Sequence, residues 1–154
     1  MQSRAARILC KMLKVKKLHP EAKLPTCARP GEDLAFDVYA LEDAELNYAR
    51  VRRLRTGVAL EMEGFGFLVR DRSSMAYPRG FLTCGGVIDR GYRGEIFINL
   101  ILFGTAESME FRIRRGDKIA QLIPTRPETM VQIVEVEELS PSDRGEKGYG
   151  SSGR

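Results

Sequence analysis

The sequence predicts an all-β domain of the sandwich or barrel class, on three observations. Glycine or proline interrupts the chain at short intervals from Pro20 to Pro127. The segments between them are brief and β-rich. Only residues 41–54 leave room for a helix of ordinary length, and their apolar positions hold no clear 3.6-residue period. At 154 residues, with 43% hydrophobic and 30% charged side chains, the chain is sized for one packed domain. Its longest apolar stretch, residues 96–103, is broken by Asn99 and falls far short of the roughly 18 residues a membrane helix needs. No membrane partner is expected.

Residues 12–18 alternate apolar and basic side chains, as a half-buried first strand does. The eleven residues before it read as an N-terminal extension, with Met12 a plausible alternative start. Lysine and arginine total 25 against 21 acids, yet residues 1–20 hold six of those cations and no acid, so the body carries a slight negative excess. The basic balance therefore belongs to the N-terminus, and without aromatic interleaving it points to no nucleic-acid partner. Residues 41–54 read as strand and loop. Further strands are expected over residues 65–69, 86–88, 96–103, 118–123 and 130–136. Past Leu139 the composition changes: residues 140–154 hold Pro141 and four glycines, with Tyr149 the one large side chain. Such a segment buries too little apolar area to offset an ordering entropy of about 1 to 2 kcal/mol per residue, which predicts a mobile arm until something binds it.

The residue inventory narrows the chemistry. One histidine, His19, and three cysteines without CxxC spacing (Cys10, Cys27, Cys84) leave no basis for Ser-His-Asp or Cys-His catalysis, an HExxH site or a zinc knuckle. A reducing, cytoplasmic compartment fits the cysteines better than a disulfide framework. Catalysis has to run on carboxylates, arginines, hydroxyls and backbone groups.

Four segments carry such groups. Residues 148–153 match GxGxxG, but the chain ends one residue later with no helix to follow, so a dinucleotide fold is rejected. What remains is a run of backbone N–H groups beside Arg144, Lys147, Ser151 and Ser152: an anion wrapper or a glycine-serine tail without function. Arg72-Ser73-Ser74, after an apolar run, is an anion site or an ordinary turn. Residues 85–96 read as a β-hairpin whose glycines let backbone approach a flat ligand. In it Asp89, following buried-looking Val87-Ile88, is a general base or a turn aspartate, and Tyr92 is placed to stack on a ring. In residues 118–123, strand alternation puts Gln121 on an apolar face with Ile119 and Ile123, where it needs a ligand or a backbone partner.

In their order along the chain these four segments, together with residues 35–40, resemble the five motifs of the trimeric dUTP diphosphatase (dUTPase) family: residues 35–40, 72–76, 86–95, 115–123 and 144–153. The resemblance implies a jelly-roll-like β fold over residues 12–139, a flexible arm of residues 140–154 closing over the site, and a homotrimer with sites at subunit interfaces. It also implies hydrolysis of dUTP to dUMP and pyrophosphate with Mg2+, which keeps uracil out of DNA. By motif, Asp89 is the general base for water attacking the α-phosphorus, with Gln121 near the phosphate and that water. Tyr92 packs under the deoxyribose, and the backbone of Gly86, Val87 and Ile88 reads the uracil edge. Arg72, Ser73 and Ser74 hold the phosphates. Arg144 meets the terminal phosphate, Tyr149 covers the base, and Gly150, Ser151 and Ser152 close the arm. Asp37 sits near the magnesium shell through water. Ala35 stands where the family has glycine, Tyr149 where it has phenylalanine, and Thr83 where many bacterial members have asparagine. The related dCTP deaminases carry a glutamate ten residues after the aspartate of the third motif; here that position is Asn99, which supplies no acid-base proton. A non-catalytic nucleotide-binding trimer is expected to lack Asp89 or the arm motif, and this chain has both.

Overall fold

The computed structural model describes residues 11–103 and 110–142. The strands in chain order are β1 (Leu13–Lys17), β2 (Phe36–Tyr39), β3 (Ala44–Asn47), β4 (Val51–Arg55), β5 (Val58–Met62) and β6 (Gly66–Arg70). A single helical turn, α1 (Ser73–Ala76), separates these from β7 (Phe81–Cys84), β8 (Val87–Ile88), β9 (Phe97–Leu102), β10 (Glu110–Ile113) and β11 (Lys118–Thr125). All strand pairings are antiparallel: one sheet is ordered β2-β11-β6-β8, another β4-β9-β7, and β1 pairs with β5 and β10 with β3. The all-β, jelly-roll-like sandwich expected from the sequence is the fold observed.

Strand β9 shows why these residues form this architecture. Bonded on one side to β4 and on the other to β7, it points Ile98, Leu100 and Leu102 into the core and Phe97, Asn99 and Ile101 away from it. The β-branched and leucine side chains on that inner face fill the space between sheets, and deleting one, as in Leu100→Ala, costs about 2 to 5 kcal/mol. Leu46, Ile113, Ile119 and Leu122 join the same core, and Phe81 meets Phe111 edge-on at 4.9 Å. The expected first strand over residues 12–18 is observed at Leu13–Lys17, with Leu13 and Val15 half-buried against β5. Residues 41–54 are strand and loop as read, β3 turning into β4 through Ala49 at φ 55.

Two expectations are corrected. Residues 130–136 form no strand: Met130, Val131, Ile133, Val134 and Val136 are exposed, Ile133 at 94%. Their β propensity is real, but a strand needs a neighbour to take its hydrogen bonds, and no described segment of this chain pairs with them. In β11 the simple alternation fails at its start. The register against β2 shifts between Lys118 and Ala120, and this bulge buries Ile119 with Ala120 and Leu122 instead of leaving it on the face of Gln121.

Candidate active site

The segment read as a hairpin is a hairpin only at its base, where Cys84 pairs with Asn99 across β7 and β9. Beyond that pair its two arms part. β8 leaves to pair with β6, Ile88 opposite Phe67, and the carbonyl of Gly86 accepts the Val69 N–H at 2.7 Å. The returning arm is fastened to the other side of the molecule: Ile96 N–H donates to Val58 O at 2.8 Å, and the buried Thr56 hydroxyl donates to Ile96 O at 2.6 Å. Glu95 accepts a forked bond from Arg55 (Nε 3.1 Å, Nη2 3.1 Å) and the Gly57 N–H at 2.9 Å. That carboxylate holds the Arg55 guanidinium pKa above its usual value.

Between the parted arms lies a cleft of about 300 Å³, lined by Gly85, Val87, Ile88, Asp89, Tyr92, Glu95 and Asn99 among others. A pyrimidine-sized planar ligand fits that volume, and strand backbone that has no partner across the gap is free to bond it. The Tyr92 hydroxyl donates to Glu95 O at 3.0 Å, which sets the ring across the mouth. Asp89 and Val87 are not buried as their neighbours suggested: Val87 is 74% exposed and Asp89 sits at the exposed end of β8. A two-residue strand at a sheet edge has too little cover to desolvate them.

The other predicted groups gather on the β2-β11-β6 sheet. Asp37 on β2 accepts from Arg72 Nε at 2.8 Å through one oxygen and from Lys118 Nζ at 2.7 Å through the other. The Asp37 carboxylate raises the Lys118 pKa, first by its hydrogen bond and then by its charge. Arg72 Nη1 also reaches Ser74 Oγ at 3.4 Å, while Ser73 is exposed on α1. Gln121, opposite Asp37 in the register, donates to the carbonyl of Asp71 at 3.0 Å, so its partner is a backbone group next to Arg72. The result is an oriented cationic cluster, suited to a polyphosphate.

None of these cluster residues lines the cleft, and no hydrogen bond or ion pair among the described residues joins Asp89 to them. Arg144, Tyr149, Gly150, Ser151 and Ser152 lie outside the described residues. Lys118, Arg55 and Glu95 were not singled out from sequence. No local pattern marks them, because their roles come from partners about 40 residues or more away. His19 Nδ1 accepts the Glu21 N–H at 3.2 Å within a turn and takes no part in either cluster.

A model of the dUTPase family matches residues 4–153. A deoxyuridine 5'-triphosphate nucleotidohydrolase of Helicobacter hepaticus is 43% identical over 145 residues, covering 92% of this chain and 88% of that protein. One of Clostridium tetani is 39% identical over 92% of this chain and 97% of its own length. A structure of Staphylococcus bacteriophage 80alpha dUTPase with dUPNHPP superposes with a TM-score of 0.83 at 28% identity, covering 93% of this chain and 99% of that one. With the motifs, the sandwich and the parted hairpin already in place, these matches establish that the chain belongs to the dUTPase family.

Proposed function

We propose that the parted hairpin and the Arg72 cluster are two halves of one site at which the chain hydrolyses dUTP to dUMP and pyrophosphate. The observation that carries this reading is the cleft: a carboxylate and an aromatic ring at the mouth of a slot whose walls are open backbone. Uracil enters the slot and bonds the backbone around Gly86, Val87 and Ile88. Tyr92 lies against the deoxyribose, where a 2′-hydroxyl would clash. Asp89 takes a proton from water as its oxygen bonds the α-phosphorus, and the bond to the bridging oxygen breaks to release pyrophosphate. Exposed in the single chain, Asp89 gains its dry surroundings when the site closes. Arg72, Ser73 and Ser74 neutralise the charge that collects on the phosphates, and Gln121 orients the attacking water. In this reading residues 12–139 are the catalytic domain, residues 1–11 an extension, and residues 140–154 the arm, with Arg144 on the terminal phosphate, Tyr149 over the base and Gly150, Ser151 and Ser152 closing it.

Magnesium fits this site as an ion carried on the triphosphate, where it neutralises phosphate charge. Both Asp37 oxygens already face cations, which leaves that residue a contact through water, and no group of three or more potential ligand side chains occurs among the described residues.

A homotrimer is the assembly that completes the site. The two halves do not meet within the described chain, so a neighbouring copy would bring a cleft to the Arg72 cluster. Residues 130–139 support the same reading: Met130, Ile133 and Leu139 are 87% or more exposed, an apolar β-prone segment that a second copy would cover. No helix of the described residues is long and apolar enough to cross a membrane, and Cys27 and Cys84 are free thiols, which supports a cytoplasmic setting.

The test is Asp89→Asn, an isosteric change that removes the base. Turnover of dUTP with magnesium, followed as dUMP and pyrophosphate, is expected to fall by about a thousandfold with nucleotide binding retained. Hydrolysis at the parental rate would remove the base assignment.

A further inference from the structure

We propose that the carboxamide of Asn99 reads the imide edge of the base and holds the cleft for uracil against cytosine. This rests on the reading that the cleft takes the base, and deepens it to a side chain that selects among bases.

The polar side chains lining the cleft are Arg53, Asp89, Tyr92, Glu95 and Asn99. Three are committed elsewhere. Arg53 lies over the Phe97 ring at 5.3 Å, the Tyr92 hydroxyl is spent on Glu95 O, and the Glu95 carboxylate is held by Arg55 and the Gly57 N–H. Asp89 is an acceptor with the proton transfer to perform. Asn99 is what remains, a neutral group with both a donor and an acceptor.

Its placement follows from the strand. Ile98 and Leu100 on either side are fully buried, so Asn99 points out of the core and into the cleft, half-buried at its closed end. Nδ2 donates to the carbonyl of Cys84, the residue opposite it, at 3.4 Å, and a Cβ added to Gly85 would lie 3.4 Å from the same nitrogen. The Oδ1 atom takes no hydrogen bond among the described residues. Thr83, the neighbouring hydroxyl, is turned away and donates to Asp71 Oδ1 at 3.2 Å.

The chemistry of the two bases then decides. Uracil presents a carbonyl, an N–H and a second carbonyl along its edge. A carboxamide meets it with two bonds, its second N–H to O4 and its Oδ1 from N3–H. Cytosine reverses both polarities and needs the amide flipped. Flipping turns Oδ1 toward the Cys84 carbonyl, which sets two acceptors against each other and loses the bond that orients the group. A fixed amide therefore accepts uracil and refuses cytosine.

The test uses the full chain with dUTP and dCTP, measuring kcat and KM for each. Asn99→Ala is expected to raise KM for dUTP about tenfold to a hundredfold with kcat little changed, since a base contact is made equally in the bound and transition states. The dCTP values should stay put, so the preference for dUTP shrinks by the same factor. Asn99→Asp, the same shape with acceptors only, meets one donor and one acceptor on either base (N3–H and O4 of uracil, the N4 amino group and N3 of cytosine), so it is expected to remove the preference to about the same extent as Asn99→Ala. An unchanged dUTP-to-dCTP ratio in both variants would overturn the proposal. Asp89→Asn separates the two levels: if it is inactive while the ratio is unchanged in the two Asn99 variants, the site reading stands and the role of Asn99 is removed. At full activity it removes the site reading itself.

Discussion

The two halves of the proposed site are built by opposite means. Around Asp37 every charge is answered within the chain: one carboxylate spans Arg72 and Lys118, and Gln121 is tied to the carbonyl beside Arg72. Between Gly85 and Asn99 the chain does the reverse and leaves backbone unpaired, fastening one wall to β6 and the other to the β4–β5 turn. Ligand chemistry explains the contrast. A polyphosphate binds to cations whose orientation is set before it arrives, and ion pairs set it. The edge of a base binds to parallel donors and acceptors at strand spacing, and a hairpin opened and held apart supplies them from its backbone, with the Asn99 carboxamide beside them.

If the cleft depends on the spacing of its walls, filling that spacing should do the most damage. A Cβ on Gly86 would lie 2.7 Å from the Val69 carbonyl oxygen, and one on Gly66 would lie 2.5 Å from the Ile88 oxygen and 3.0 Å from the Arg90 nitrogen. In both cases the obstacle is backbone, so β8 has to move, and Asp89 lies between Ile88 and Arg90. Gly66→Ala and Gly86→Ala are each expected to lower kcat/KM for dUTP about a hundredfold, the scale of a displacement near 1 Å. Parental kinetics in either variant would show that the wall separation is not what makes the cleft.

The charged half should break more gently, because its parts share the load. Arg72→Lys keeps the charge, but an ammonium cannot hold Asp37 and reach Ser74 at once as the guanidinium does. The expected loss is about tenfold in kcat/KM, most of it in KM, with the melting temperature within a few degrees of the parent. A loss as large as that of the glycine variants would mean that the two halves do not differ in the way their construction implies.

Legibility in the sequence divides along a similar line. Strands whose partners lie in this chain were readable from alternation and turn residues: the ranges 12–18, 65–69, 96–103 and 118–123 each overlap a strand to within a residue or two at either end. Residues 130–136 carry the same pattern without a partner, and local composition does not say whether a partner exists. The bulge that buries Ile119 was unreadable because it is a property of the β2–β11 register, not of either strand. The motif segments were legible as segments, but nothing in them marks the hairpin as open. Its opening depends on Thr56 and Glu95 meeting segments about 40 residues away, and its exposed Asp89 on how short β8 is.

The charge node also has a natural control on the surface. Lys14 and Glu61 face each other across β1 and β5 with Nζ to Oε1 at 2.9 Å, nearly the separation of Lys118 and Asp37. Their side chains are 64% and 39% exposed, against 26% and 17% for Arg72 and Asp37. Lys14, chiefly through its hydrogen bond, holds the Glu61 carboxyl below its ordinary value of 4.5. A depressed carboxyl contributes stability that is present above that ordinary value and lost as pH falls through the lowered one. Lys14→Gln should therefore melt slightly below the parent at pH 7, with the gap closing as pH drops below about 4.5 and closing also at high salt, where exposed pairs are screened. A gap that survives acid would mean the lysine acts through the packing of its alkyl stem on β5 and not through its charge. A small, screened effect here beside a kinetic effect at Arg72 would show that ion pairs in this fold matter where they orient a binding group, and contribute little where they only join two strands.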